Sequence, residues 1–427
     1  MSDRPEGPVH TYETILQDSL DLYFEGESFA KTVAKFLCNK RDIHLEEEEA
    51  AKVAQSMRET PGPIAMRLTA PDGVVLAFET EELTESLEDL GDLVAEAASP
   101  LIDEMIEKAV PEIVDAVRRS AGDNIHEVKA NIQVFEGTVS QVWGKPLRTL
   151  YTILGIAQEA LYRVQDDEDR VLKETDSVGD LETISMFWQS LTSLHIRACR
   201  TLAEILVLLE AGMADGAMAR WRSLHEYAVT MSFIAEKRGD IGKRYLLHSN
   251  IRKRAMARDI ANHVPEEALD NQSDVELEQA CQELTDTYGT PFKTPYGWAA
   301  EAMQQAKPTF WAIEKEMNMQ GWRPYYGLAN QSVHADPNGA VFSLADDEGP
   351  WHGGSIFGLC DPGANAAASM GTCVAVLLGT CPVLDWTIAA GACQKFVEQA
   401  NDEFLECHRM LEEEYQTESE PEQEISE

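Results

Sequence analysis

Cations are scarce in this chain. Lysine and arginine number 35 against 75 aspartates and glutamates, for a formal net charge of −40 and a pI near 4.5. A field of that sign repels nucleic acid, so any RNA contact has to come from a local basic patch. Cysteine is scarce too: eight in 427 residues, with no Cys-x-x-Cys pair. That excludes a disulfide framework and the usual zinc spacings, and Cys407-His408 alone is no metal site. Free thiols in a reducing cytoplasm are the expectation. The start, MSDRPEGPVHTYETILQDSL, lacks the basic-then-apolar pattern of a signal peptide. Long apolar runs are missing except Pro362–Leu384, which is uncharged but interrupted by Gly363, Asn365, Ser369, Gly371, Gly379 and Pro382. A membrane span wants about 20 mostly apolar residues. This stretch reads better as a small-residue core helix, so no membrane contact is expected.

Signature motifs are equally thin. The chain has no Gly-x-Gly-x-x-Gly, no phosphate-loop Gly-Lys-Ser/Thr and no His-Glu-x-x-His. His352-Gly353-Gly354 has no Gly-x-Ser-x-Gly partner. Neither a cofactor nor a metal is expected.

What is present is helical periodicity. Ile184, Phe187, Trp188, Leu191, Leu194, Ala198, Leu202, Ile205, Leu206 and Leu209 recur at three- and four-residue steps, one buried face of a long helix. Gly212 fits a left-handed C-terminal cap and Asp215 an N-cap, so a second helix should return antiparallel. It buries Ala217, Trp221, Leu224, Ala228, Met231 and Ala235. Arg222, His225 and Glu226 sit beside that stripe. A cation and an anion there must pair, because an unpaired buried charge is costly. The plainer reading is a structural Arg222–Glu226 pair, and the sharper one is a site.

A third helix starts near Asp240. Lys237 to Arg258 holds eight basic residues against one acid, a local reversal of charge. It is either an RNA-binding face carrying Arg252, Lys253 and Arg254, or a solvated helix pairing with the protein's own acids. Asp166–Asp169 is one candidate for such a partner.

Upstream, residues 11–60 read as helical. IAMRLTAPDGVVLAFET reads as two strands around Pro71-Asp72-Gly73. Leu83 to Arg119 is helical again, with breaks expected at Pro100 and Pro111. Ile125, Val128, Ile132, Phe135, Val139 and Val142 form a heptad seam that Gly144-Lys145-Pro146 interrupts. The seam suits a coiled-coil homodimer or, more simply, two helices packed on their own domain. Downstream, Val275–Thr287 and 323–334 read as helices. The latter puts Tyr326, Asn330 and His334 on one face. Val341–Leu344 and Ser355–Leu359 suit a short hairpin, and Ile388–Tyr415 a final helix. Residues 401–427 hold eleven acids and one base, and the end of that tail is expected to be disordered.

The fold class expected is mainly α: a helical bundle with a small mixed N-terminal region containing a β-hairpin. The boundaries expected are 1–120 for the mixed region, 121–180 for a helical connector and acidic linker, 181–415 for the main helical domain and 416–427 for the tail.

Four motifs, RWRSLHEY (220–227), RYLLH (244–248), YGWA (296–299) and YGLANQSVHA (326–335), occur in this order. Over about residues 185–345 the chain resembles the mostly bacterial, helical family catalogued as domain of unknown function fifty-six seventy-seven. That family often has serine where Asn330 or its neighbour stands here. Arg220-x-x-x-x-His225 is also similar to the mark of the all-helical HEPN ribonucleases. That resemblance implies metal-independent RNA cleavage in toxin or defence systems, often by dimers, with histidine as acid/base and arginine on the phosphate. Residues five apart on a straight helix point about 140° from each other, whereas Arg222 and His225 are about 60° apart.

The site expected is therefore a polar cluster inside the bundle: Arg222, His225, Glu226, Arg244, His248 and His334, with Trp298 and Tyr326 as walls. The function expected is HEPN-like RNA cleavage. Its rival is a non-catalytic interaction or regulatory protein that binds a partner through its acidic surface.

Overall fold

The computed structural model describes residues 27–39, 42–59, 65–69, 75–79, 87–167, 171, 179–263, 271–334, 337, 354–381 and 383–419. The chain divides into two units, Met1–Ala130 and Asn131–Glu427. It is mainly α, as the periodicity demands.

In the first unit, α1 (Glu27–Asn39) packs on α2 (Glu47–Glu59) through Val33, Ala34, Cys38, Ala50, Val53 and Ala54. Three glutamates open α2, where the helix dipole favours negative charge. Strands β1 (Ala65–Thr69) and β2 (Val75–Glu79) pair antiparallel, with Arg67 opposite Ala77, and α2 touches β1. The expected hairpin is present; its Pro71-Asp72-Gly73 turn lies outside the described residues.

Helix α3 (Leu87–Asp166) corrects the sequence reading. Breaks were expected at Pro100, Pro111 and Pro146, yet the helix runs through all three. Each proline removes one backbone hydrogen bond and costs about 3 kcal/mol inside a helix. Around Pro146 packing offsets this, because Val139, Trp143, Leu147, Leu150, Ile153, Leu154 and Ala157 are buried on both sides of it. The C-terminal part of α3 is thus core to the second unit, and the expected boundary at 181 leaves it out.

The second unit is built on the hairpin of α4 (Leu181–Glu210) and α5 (Ala214–Lys237). Every residue of the α4 stripe is buried, and so are Ala217, Trp221, Leu224, Ala228 and Met231 of α5. Fully burying each large apolar side chain contributes roughly 1.5–3 kcal/mol. Gly212 turns the chain at φ +69°. Asp215 is not the N-cap: that position is Met213, without a side-chain cap bond, and Asp215 lies in the first turn. The connection is too short to reach the aspartate before the helix begins. Helix α6 (Ile241–Ala261) crosses α4 at Gly242, where a Cβ would come within 2.7 Å of Phe187 Cα.

Helix α7 (Asn271–Tyr288) packs on α6 and leads through two 3₁₀ turns, Thr290–Lys293 and Gly297–Ala299, to α8 (Phe310–Glu316). Another 3₁₀ turn, Gln320–Trp322, enters α9 (Arg323–Val333), which packs on α5. Residues 354–359 carry no strand, and 341–344 lie outside the described residues. In place of the expected hairpin, Ser355 donates to Gly212 O at 2.9 Å and Ile356 O accepts from Trp143 Nε1 at 2.8 Å.

Helix α10 (Cys360–Gly379) is the small-residue stretch. Among the described residues it alone is long and apolar enough to cross a membrane, but 67% of its most apolar window is buried in the protein. It packs on α4, α5 and α11 (Leu384–Ser419). Trp221 Nε1 donates to Ser369 Oγ at 2.9 Å across the α5–α10 contact. Helix α11 outruns the expected start of the tail at 416, and residues 420–427 lie outside the described residues. All eight cysteines are free and buried.

Candidate functional site

The polar centre of the second unit is Tyr326. Burial leaves it 5% exposed, and its hydroxyl donates to Glu226 Oε1 at 2.5 Å, joining α9 to α5. Two guanidiniums lie over its ring: Arg222 at 4.9 Å and Arg323 at 4.7 Å from the centroid. Arg222 Nε is 3.4 Å from Glu226 Oε1, one turn along α5, but the N–H is not aimed at the oxygen. The contact is an ion pair without a hydrogen bond. Burial, reinforced by the neighbouring carboxylate, pushes the Tyr326 phenol well above its ordinary range, so it stays a donor at neutral pH. Tyr296 closes the group. Burial raises its pKa, with Glu226 adding to the shift and Arg222 and Arg252 opposing it. Arg222, Glu226 and Arg323 keep 26%, 34% and 41% of their side-chain surface in water, so solvent reaches this group.

Behind it lies a sealed layer. His225 and Glu314 are both fully buried, with His225 Nε2 2.9 Å from Glu314 Oε1. The other carboxylate oxygen accepts from Arg323 Nη1 at 3.2 Å. Trp221, Phe310, Trp322 and Tyr326 box the imidazole at 5.4–6.4 Å between ring centres. Burial depresses the His225 pKa despite Glu314, so the ring is neutral with its proton on Nε2, and Nδ1 is left without a partner. Helix α8 delivers Glu314 because Thr309 caps it and Phe310, Ile313 and Glu314 share its inward face.

The expected cluster is therefore only partly assembled. Arg222, Glu226 and Tyr326 meet at the surface, and His225 lies beneath them. Arg244 pairs instead with Asp240 and Glu301 and covers the Tyr288 ring at 4.6 Å. His248 is 4% exposed, and its Nε2 donates to Thr294 O at 2.9 Å, holding the connector after α7. Its pKa is depressed by burial. Trp298 is a core wedge between Phe233 and Tyr245, not a wall. His334 caps the C-terminus of α9 and is exposed. The pair spaced five apart is split: Arg220 turns to Glu204 and Thr201 on α4, and His225 turns inward.

The basic helix is largely spoken for by the protein's own acids. Lys237 pairs with Glu316, Lys243 with Glu182, and Arg254 and Arg258 with Glu278. None of these partners is Asp166 or Asp167, and residues 168–169 of the expected run lie outside the described residues. Arg252 and Lys253 are exposed, with no ion-pair partner among the described residues.

Sequence reasoning missed Glu314, Arg323 and Tyr296. Glu314 carried a signal, since it falls on the apolar face of a capped helix. Arg323 carried none and Tyr296 only its place at the head of the YGWA motif, because only the folding of 3₁₀ turns brings them to α5. A separate cavity of about 340 Å³ is lined by Gly155, Ile156, Ala160, Leu378 and Ala389, with Glu159 and Arg163, and shares no residue with the Tyr326 group. Among the described residues no three His, Cys, Asp or Glu side chains are grouped to hold a metal.

A mainly α protein with a partly exposed Arg–Glu pair on a buried tyrosine between bundle helices is the class these observations define. Residues 190–350, which contain that group, match the family described as "Family of unknown function (DUF5677)", the family that the four ordered motifs resemble. No curated protein and no solved structure matches the chain.

Proposed function

We propose that the Tyr326 group cleaves RNA without a metal, with Glu226 rather than His225 as the base. The observation that carries this reading is the pair of guanidiniums over one tyrosine ring beside a solvent-accessible carboxylate. Two guanidiniums suit a phosphate, whose developing charge they stabilise during attack. Glu226 takes the proton from a ribose 2′-hydroxyl, whose oxygen attacks phosphorus. Tyr326 gives its proton to the departing 5′-oxygen and recovers one from Glu226 through their hydrogen bond. The products are a 2′,3′-cyclic phosphate and a 5′-hydroxyl. His225 supports the site from below by holding Glu314, which in turn holds Arg323. A role in defence or toxicity and a cytoplasmic location accompany this reading.

The second reading is a non-catalytic interaction module. It is favoured by one fact: Glu226, Arg222 and Arg323 each already face an internal partner. One experiment separates the two. Labelled single-stranded RNA is incubated with the protein in excess EDTA, and ends are analysed. Cyclic phosphate ends, lost about 100-fold or more in Glu226→Gln, are expected for a general base. Intact RNA with the wild-type protein rejects cleavage and leaves the interaction module.

A further inference from the structure

We infer that two copies of this chain associate through α3, in an antiparallel helix pair centred on Ala121. The N-terminal half of the expected seam, Ile125, Val128 and Ile132, is not packed on its own domain, and Val110, Val114 and Val117, outside that expectation, extend the exposed row upstream. Val110, Val114, Val117, Ile125, Val128 and Ile132 are 51, 39, 42, 55, 56 and 46% exposed on one continuous helix. Farther along the same helix Val139, Trp143, Leu147 and Leu150 are buried at 0–5%. A row of β-branched residues facing water is a surface that asks for cover.

The spacing names the occupant. From Val110 the steps to Val114, Val117, Ala121, Ile125, Val128 and Ile132 are four, three, four, four, three and four. The series reads the same in both directions about Ala121. A twofold axis there sets Val110 against Ile132, Val114 against Val128, Val117 against Ile125, and Ala121 against itself. Every layer is filled and no seam residue meets a polar one. Twofold homodimers need this kind of self-complementary surface, because the same patch serves both copies. An unrelated partner gives no reason for the symmetry. Ala121, followed by Gly122, puts the smallest side chains on the axis, and a Cβ at Gly122 would meet nothing within 4 Å. Val110 to Ala121 and Ala121 to Ile132 are eleven residues each, a spacing that winds a helix pair right-handed instead of left-handed. In a parallel pair each residue would meet its own copy, and the central symmetry would serve nothing.

The full chain in solution tests this. Light scattering after gel filtration should give twice the chain mass for the wild type. Ile125→Glu/Val128→Glu should give half that, with an unchanged far-UV spectrum. The cysteine variants Ala121→Cys and Val114→Cys are then treated with a short bismaleimide, the eight native thiols being buried. Ala121→Cys should cross-link to a dimer. Val114→Cys should not, because its two copies lie about 21 Å apart along the antiparallel axis. A monomeric wild type overturns the inference, as does a dimer that survives the double substitution. Cross-linking of Val114→Cys as efficient as that of Ala121→Cys overturns the antiparallel arrangement.

Discussion

His225 and Glu314, 89 residues apart in sequence, meet at 2.9 Å with both side chains sealed from water. Glu314 also anchors Arg323. Removing the imidazole in His225→Ala leaves a buried carboxylate oxygen unanswered and a void among Trp221, Phe310 and Trp322. A buried acceptor left without its donor costs about 1–3 kcal/mol, more when it is charged, and the void adds to that. Urea denaturation should show a loss in that range. A loss under ~0.5 kcal/mol, typical of surface substitutions, would mean the pair does not form as described.

Stability should depend on pH in a particular direction. His195, His225 and His248 all have pKa values depressed below the ordinary 6.5, each mainly by burial. The unfolded chain therefore takes up protons on these rings near pH 6.5 while in the folded chain the rings stay neutral. The stabilisation from excluding them is complete above that pH and is lost as pH falls. Linkage gives each histidine at most about 1.4 kcal/mol per pH unit. Melting curves between pH 7.5 and 5.5 should decline, and His195→Gln should decline less steeply. A flat profile would count against burial of these rings.

Much of this architecture was legible in the sequence, and the failures share a cause. The α4 and α5 stripes were readable because a 3.6-residue period records a buried face wherever packing is one-sided. The Arg222–Glu226 pair was readable because it is local. Continuity of α3 through Pro146 was not, since proline's local penalty is outweighed by burial on residues the sequence does not reveal as neighbours. His225, His248 and Arg244 looked like site residues because polar side chains near an apolar stripe look the same whether they face a cleft or the core. Glu314 rides on the short capped helix α8, whereas Arg323 and Tyr296 reach α5 only through the 3₁₀ turns between α7 and α9, which leave no periodic trace.

The α4–α5 turn should tolerate no side chain at Gly212. Its φ is +69°, and a Cβ there would lie 2.5 Å from the Phe135 ring and 2.6 Å from Ser355 O. The left-handed conformation alone costs an L-residue about 1–2 kcal/mol, and a backbone oxygen cannot step aside as a side chain can. Gly212→Ala should therefore lose more than ~2 kcal/mol by urea denaturation. Gly239, also at positive φ but with nothing within 4 Å of its Cβ position, should lose only the conformational part when changed to alanine. Equal losses at the two sites would show that the Phe135–Ser355 enclosure of Gly212 is looser than described.

The basic helix separates structural charge from binding charge residue by residue. Arg254 is largely buried against Glu278, whereas Arg252 and Lys253 face solvent. Arg254→Glu places like charges together and should lower the melting temperature. Arg252→Glu/Lys253→Glu should move stability by no more than about 0.5 kcal/mol. If RNA reaches the Tyr326 group past Arg252, this double variant should bind it more weakly. The salt dependence should change too, because each phosphate contact to a single strand contributes a log–log slope of about −0.7. Two lost contacts would flatten the slope by about 1.4. Filter binding from 50 to 200 mM salt measures it. A parent protein with no RNA affinity at 50 mM, alongside destabilised Arg254→Glu, would leave the basic helix a structural device that neutralises the protein's own acids.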